Sequence, residues 1–364
     1  MAKIKAFVTL SHQSAVLGIE RIEDKIVILD SNYTLNYYTH EALELHSRKK
    51  FLKEDIEARN FHKAFSYDEN YLIAPIMENN KFLVYERGVH GLRLQKSFSW
   101  HESELESASL SPDDHLLVTG GQDGRVLLFD MDELAYMGAI IQFNEYVARV
   151  VFSQNQHYIA ISSFNKFISI FSLEQHKIIH TIQLDDTSEV LRFYDDGNKL
   201  FYTTRNGTCA LFDVLQKKTL YTAQHFGAWP TSSILSNTNT EVIVGTRDGH
   251  LFVINLENNE IILNIDLGLV DISRLLIDGD NIFVGFNSGI VQVFDMLERH
   301  KNLVEAMANK SYDKAKIAIK NNPFLELTQE AKDLEAMWSE IEDIAIELIA
   351  IEDYDKMNRF VHPF

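Results

Sequence analysis

Fourteen histidines and a single cysteine are the side chains best suited to nucleophilic, acid–base or metal chemistry in this 364-residue chain, and their spacing suits none of it. The stretches YTHEALELH and QHYIA place no two imidazoles on one helix face. Cys209, in the apolar run TCALFD, can form neither an internal disulfide nor a cysteine-based zinc cluster, and reads as an inert small hydrophobe in a strand. No glycine-rich phosphate loop, GxSxG elbow, HExxH helix or EF-hand spacing occurs. No catalytic residue, metal or cofactor is expected. What remains is recognition chemistry: aromatics in loop-like contexts, namely Phe61, Trp100, Phe143, Tyr146, Phe226 and Trp229, a residue class favoured as interface anchors.

Charge narrows the partners. With 34 basic and 53 acidic residues the net charge is −19, and no basic stripe interrupts it, so a nucleic-acid partner is not expected. No apolar run reaches the ~18 residues of a membrane span, so no membrane insertion is expected. The opening MAKIKAFVTLSHQS loses its apolar character at Ser11, His12 and Gln13, which makes a poor signal peptide and predicts a cytoplasmic protein.

The elements that would position those aromatics recur with a period. Seven runs, TLNYYT, KFLVYE, RVLLFD, FISIFS, TCALFD, HLFVIN and IVQVFD, carry Tyr38, Tyr85, Phe129, Phe171, Phe212, Ile254 and Phe294 as their penultimate residues. Successive spacings are 47, 44, 42, 41, 42 and 40, the ~40–45 residues of a four-stranded propeller blade. The turns QDG, RNG, RDG and NSG supply the positive φ of tight hairpins. An all-β, seven-bladed propeller of four-stranded antiparallel blades over residues 1–297 is predicted.

The segment HESELESASLSPDDHLLVTGGQDGRVLLFDMDE resembles a repeat of the WD-repeat family, whose blade runs His, FSPDG, LLASGSDDG and then a strand ending in Trp-Asp. His101 stands at the family's histidine, Leu110-Ser111-Pro112-Asp113 at FSPD, Thr119-Gly120 at its Ser-Gly, and Asp123-Gly124 at its turn. The resemblance implies a hydrogen-bonded structural network of His101, Thr119 and Asp123 that locks the blade. Phe129 replaces the tryptophan and removes its N–H, so the network is at best partial. Other blades depart further: Phe143 occupies the histidine position in FNEYVARVVFSQN, and Asp248 stands in TRDG without the matching threonine. Packing of apolar faces must therefore hold most of the ring.

The last blade shows only three strands, DISRLLID, NIFVGFN and IVQVFDM, which would leave an open edge. Ile4–Leu10, IKAFVTL, is the expected fourth strand, closing the ring from the N-terminus.

From residue 298 to 364 helix formers dominate, predicting a C-terminal α-helical extension. Leu334, Met337, Trp338, Ile341, Ile344, Ala345, Leu348 and Ile351 form an apolar stripe, with Glu335, Glu340, Glu342, Asp343 and Glu347 largely opposite. That acidic face is either a solvated surface or a docking site for a basic partner. SYDKAKIAIKNNPF, from Ser311, and DYDKMNRFVHPF, from Asp353, share Tyr-Asp-Lys and end on Pro-Phe, resembling the unit of tetratricopeptide-like or coat-type helical solenoids. The second copy is expected to be either a terminal cap or the start of further helical repeats.

These features predict a non-catalytic protein–protein interaction scaffold that binds protein partners, within a larger assembly, through its loop face and its helical tail. The six aromatics fall in loops before the innermost strands, which propellers gather on one face; Trp100 and Trp229 suit equally well a role plugging gaps between blades. The competing expectation is a propeller enzyme, a lactonase-like hydrolase or lyase, with polar side chains from distant blades meeting over the central channel.

Overall fold

In the strand Lys25–Asp30, KIVILD, every residue after the first is buried, which a strand achieves only with neighbours on both faces. Its period of two sends Ile26 and Ile28 toward Val291 and Val293 on one side, and Val27 and Leu29 toward Leu72 and Ala74 on the other. The same two-sided pattern recurs around the chain and builds a ring. The computed structural model describes residues 2–52, 66–67, 70–76, 80–88 and 91–350.

The chain is a seven-bladed propeller of four-stranded antiparallel sheets followed by three helices. The innermost strands are Val16–Ile22, Ser66–Tyr67, Leu105–Leu110, Val147–Phe152, Val190–Tyr194, Pro230–Leu235 and Ile272–Asp278, in blades 1 to 7. The seven repeated runs of the sequence are the third strands, from Thr34–Thr39 in blade 1 to Ile290–Asp295 in blade 7. Among the described residues, the apolar core divides into one cluster for each of the seven seams between neighbouring blades. The propeller is thus held by packing between blades, as the scarcity of family motif residues predicts.

Blade 7 takes its fourth strand from the N-terminus. Val8–Ser11 pairs antiparallel with Ile290–Asp295, Val8 opposite Val293 and Ser11 opposite Ile290. The pairing segment lies slightly later than the expected Ile4–Leu10. Ala2–Lys3 runs parallel to the outer strand of blade 6, Ile261–Asp266, and Ile4 and Ala6 lie against the apolar cluster of the seam between blades 6 and 7. The N-terminus is therefore a strap across two blades before it becomes a strand. Polar contacts add to this closure. Asp278 of blade 7, its side chain only 5% exposed, accepts hydrogen bonds from Arg21 (2.7 Å) and His40 (2.6 Å) of blade 1.

After Asp295 come α1 (His300–Ala308), α2 (Tyr312–Asn321), a 3-10 turn (Pro323–Leu327) and α3 (Gln329–Ala350). Leu303, Ala315, Leu325 and Leu334 form the centre of their own small core. The stripe on α3 buries Ala331, Leu334, Ile341 and Leu348, while Glu335, Glu340, Glu342, Asp343 and Glu347 are exposed. Ile351 and the DYDKMNRFVHPF segment lie outside the described residues. The helices are pinned to the ring at one point. Phe324, from the 3-10 turn, is buried in the seam cluster of blades 6 and 7, and the Asn322 amide donates to the carbonyls of Asp295, Met296 and Glu298 at 3.2, 3.2 and 2.9 Å.

Removing residues 1–11 strips four ladder positions and the buried Leu10 from the closing blade. A loss of several kcal/mol, hence a fall in Tm of about 10 °C, is expected by differential scanning calorimetry. An unchanged melt would show that the closure is dispensable.

Candidate functional site

Two kinds of polar constellation stand out: one locks blade 3, and the other runs across one face of the ring. In blade 3 His101 Nδ1 lies 3.0 Å from Asp123 Oδ1, and its Nε2 lies 2.9 Å from Thr119 Oγ1. The carboxylate can only accept, so Nδ1 carries the proton, and in the neutral ring Nε2 accepts from the threonine hydroxyl. Asp123 also accepts from the backbone N–H groups of Glu102 (2.8 Å) and Arg125 (3.0 Å). Burial pushes the Asp123 carboxyl up, but the hydrogen bond from His101 and the two backbone donors outweigh it, leaving it below the ordinary carboxylate range. Phe129, fully buried, joins an aromatic group with Phe82 and Phe98 at centroid distances of 5.3 and 4.9 Å.

Other blades replace the histidine by a shorter device. A Ser or Thr at the start of the turn donates to an Asn or Asp two residues on: Ser163 to Asn165, Thr204 to Asn206 (2.5 Å) and Thr246 to Asp248 (2.5 Å). Thr246 is thus the partner of Asp248, inside its own turn rather than at the family's threonine position. The turn glycines are under steric demand as well. A Cβ on Gly249, whose φ is +89°, would lie 1.6 Å from the carbonyl oxygen of Leu269.

These turns face the same way as the loops before the innermost strands, because the backbone stitches them together. In six blades the next turn residue donates its N–H to the carbonyl of the residue, or next but one, ahead of the innermost strand: Ser31 to Ala15, Gln122 to Glu104, Phe164 to Tyr146, Arg205 to Thr187, Arg247 to Trp229 and Asn287 to Asp271, all at 2.8–3.0 Å. Side chains from blades 4 to 7 then form a continuous band. Tyr146 meets Phe164 edge-on at 6.0 Å, and the Arg205 guanidinium lies 4.6 Å from the Phe164 ring and 4.0 Å from the Trp229 ring. Arg247 approaches Trp229 at 5.4 Å and pairs with Asp271 at 3.2 Å. Arg205 is held from behind by Glu189, whose side chain is largely buried.

Of the six aromatics singled out in the sequence, Tyr146 and Trp229 belong to this band, Tyr146 exposed and Trp229 half-buried. Trp100 is half-exposed and stacks at 4.2 Å on Tyr136 of the outer strand of blade 3. Phe143 and Phe226 are not surface residues. Their N–H groups bond the carbonyls of Gly124 and Gly207, which fits each ring into a seam between blades, where it is buried. Phe61 lies outside the described residues. Phe164, Arg205 and Arg247 were missed because they sit in the hairpin turns, read only for their glycines; the arginine that opens RNG and RDG was the available signal.

Charged side chains also line the channel: Arg149, Arg192 and Arg274, with Glu189 at the same cavity. Among the described residues no group of three His, Cys, Asp or Glu side chains could hold a metal ion, and no helix is long and apolar enough to cross a membrane.

Residues 92–130 match the family model "WD domain, G-beta repeat", from the outer strand of blade 2 to the third strand of blade 3. An uncharacterized WD repeat-containing protein of Schizosaccharomyces pombe is 26% identical over 230 residues, 58% of this chain and 39% of that protein. The small ribosomal subunit protein RACK1z of Arabidopsis thaliana is 26% identical over 117 residues, 31% of this chain and 35% of its own. RACK1 of Neurospora crassa is 29% identical over 83 residues, 23% and 26% respectively. The chain therefore spans well under half the length of these relatives. The matched blade is the one that carries the His101 network, and Asp123→Asn tests what that network contributes. A carboxyl held below its ordinary range stabilises the fold above the unfolded-state pKa and ceases to do so as pH falls through the folded-state value. The variant is expected to melt about 5 °C below the wild type at pH 7, with the gap closing below about pH 4, as read by scanning fluorimetry. The chain is a seven-bladed propeller with a WD repeat at blade 3, similar along much of its length to WD-repeat proteins and continued by a C-terminal helical segment.

Proposed function

We propose that this protein is a non-catalytic interaction scaffold whose docking surface is the band across blades 4 to 7. The observation that carries the reading is Trp229: a half-buried indole whose face is covered by Arg205 and Arg247, each guanidinium fixed in turn by a buried or partly buried carboxylate. Trp, Tyr and Arg are the residues that dominate interface energetics, and here they are pre-ordered before any partner arrives. Exposed Val270, on the loop beside Asp271, adds apolar surface to the same edge. The relatives point the same way. Two of them are by name small ribosomal subunit proteins, and a place in a larger assembly is the corresponding reading for this chain. A basic partner at the exposed acidic face of α3 would make a second contact.

The competing enzymatic reading has less support. Among the described residues, the one carboxylate at the channel cavity lined by Arg149, Arg192 and Arg274 is Glu189, and it is already paired with Arg205, which leaves it poorly placed to activate a nucleophile.

Affinity capture followed by titration of the recovered partner tests the scaffold reading. Trp229→Ala, with Tm near that of the wild type, is expected to weaken partner binding by about 30-fold, the scale of a hot-spot truncation. Trp100→Ala, whose indole is stacked on its own blade, is expected to have a smaller effect. Undiminished affinity in a folded Trp229→Ala variant would move the docking surface elsewhere.

A further inference from the structure

The hairpin turns of the Trp229 band join the second strand of each blade to the third. The turns at the other ends of those strands, first to second and third to fourth, lie on the opposite face of the ring. Between blades 5 and 6 that face opens into a groove of about 720 Å³, inside the range of about 300–1,000 Å³ usual for binding sites. Its apolar lining is the margin of the seam cluster: Leu220 of the outer strand of blade 5, Leu235 at the end of the innermost strand of blade 6, and Leu256 just after the third strand of that blade. Tyr194, the last residue of the innermost strand of blade 5, completes the lining; it is 4% exposed, and its hydroxyl has no hydrogen-bond partner among the described residues. Burial, followed by the fields of Asp195 and Asp213, pushes the Tyr194 phenol above its ordinary range, so it keeps its proton. The rim is acidic. Asp195 pairs with Lys199 at 3.1 Å, and Lys199 is the only basic side chain among the residues that line the groove. Asp196 and Glu257, both exposed, have carboxylates with no hydrogen bond or ion pair among the described residues.

We propose that this groove docks a short extended segment of a partner protein in which an arginine or lysine stands between apolar residues. With Asp195 neutralised by Lys199, the carboxylates of Asp196 and Glu257 leave the rim negative, and a negative rim selects a cation. A guanidinium or ammonium at the rim exchanges water for charge-assisted hydrogen bonds, and its aliphatic stem lies on the leucines. Apolar neighbours in the same segment cover the rest of that lining. The Tyr194 hydroxyl gains the partner it lacks, since a protonated phenol donates to a backbone carbonyl and accepts from an N–H. An acidic segment would set like charges against Asp196 and Glu257, and a small inorganic cation would leave the leucines uncovered. The groove shares no residue with the Trp229 band and lies on the other face, so it stands or falls separately from the docking surface proposed there.

Selection of a phage-displayed library of random heptapeptides on the full chain, followed by fluorescence anisotropy of the enriched peptides, tests the groove. The enriched sequences are expected to carry arginine or lysine flanked by leucine, isoleucine or valine. The double variant Asp196→Asn, Glu257→Gln removes two charges and no intramolecular bond, so it is expected to fold and to weaken binding about tenfold at low salt. Tyr194→Phe, which removes one oxygen and no bond, is expected to weaken it about threefold. Trp229→Ala is expected to leave it unchanged, which separates this groove from the band on the other face. Enrichment of acidic or uncharged peptides, enrichment of none, or basic peptides whose affinity survives the double variant would overturn the proposal. Peptides lost with Trp229→Ala alone would belong to the band, and a dimer seen by sedimentation that the double variant abolishes would make a second copy of the chain the occupant; either result also overturns it.

Discussion

Everything in the ring depends on four residues pairing with a strand almost three hundred positions away. Val8–Ser11 on Ile290–Asp295 converts an open stack of six and three-quarter blades into a closed one. Only when it is closed do blades 7 and 1 face each other, and only then do Leu10, Val16, Ile26, Phe283 and Val293 share a core. Apolar seams between blades are additive but individually weak, so the stability of the ring is that of its closing seam together with the six local ones. The bonds from Arg21 and His40 to Asp278 reinforce that seam, and the strap of Ala2–Lys3 along blade 6 ties the same N-terminal segment to the seam beside it. Closure of such long sequence separation also delays the last step of folding, because the entropy of bringing the ends together precedes the contacts that reward it.

Given a closed ring, the turns decide what the face looks like. Ser or Thr bonded to Asn or Asp two residues later fixes the turns of blades 4 to 6, and the N–H of the intervening residue bonds back toward the neighbouring loop. The side chain of that intervening residue has nowhere to go but outward. Phe164, Arg205 and Arg247 occupy this position, so a local hydrogen-bond habit of the turn is what assembles the band around Trp229. Blade 3 solves the same problem differently. Asp123 turns to His101, and Gln122 at the outward position reaches Glu106 at 2.6 Å instead of an aromatic neighbour.

The fold was legible because its determinants are periodic. One aromatic or aliphatic residue near the end of each third strand, repeated at 40 to 47 residues, and a positive-φ turn residue that is glycine in four of the seven hairpins are set by backbone geometry and survive when specific motifs are lost. Closure by the N-terminus was legible for the same reason: an edge without a partner demands a strand. Its register was not, since Ile4 and Ala6 alternate as well as Val8 and Leu10 do, and only the seam of blades 6 and 7 separates them. The surface was less legible still. Phe143 and Phe226 look like loop aromatics in sequence, yet a glycine two dozen or fewer residues earlier makes room for each against the neighbouring blade. The arginines of the channel come from three strands with no shared local pattern, and so only the ring itself brings them together.

Phe324 and Asn322 place the helical segment at one address on the ring, the seam between blades 6 and 7, where Ile4 and Ala6 also lie. Both ends of the propeller therefore leave through a common anchorage. A load applied to the helices, by a partner or by anything attached to them, does not pull on a free tail; it is delivered to blade 7, the blade that receives the closing strand. The propeller and its helices are in this sense one mechanical unit, in which tension on the extension is taken up at the seam of blades 6 and 7, next to the strand pairing that keeps the circle shut.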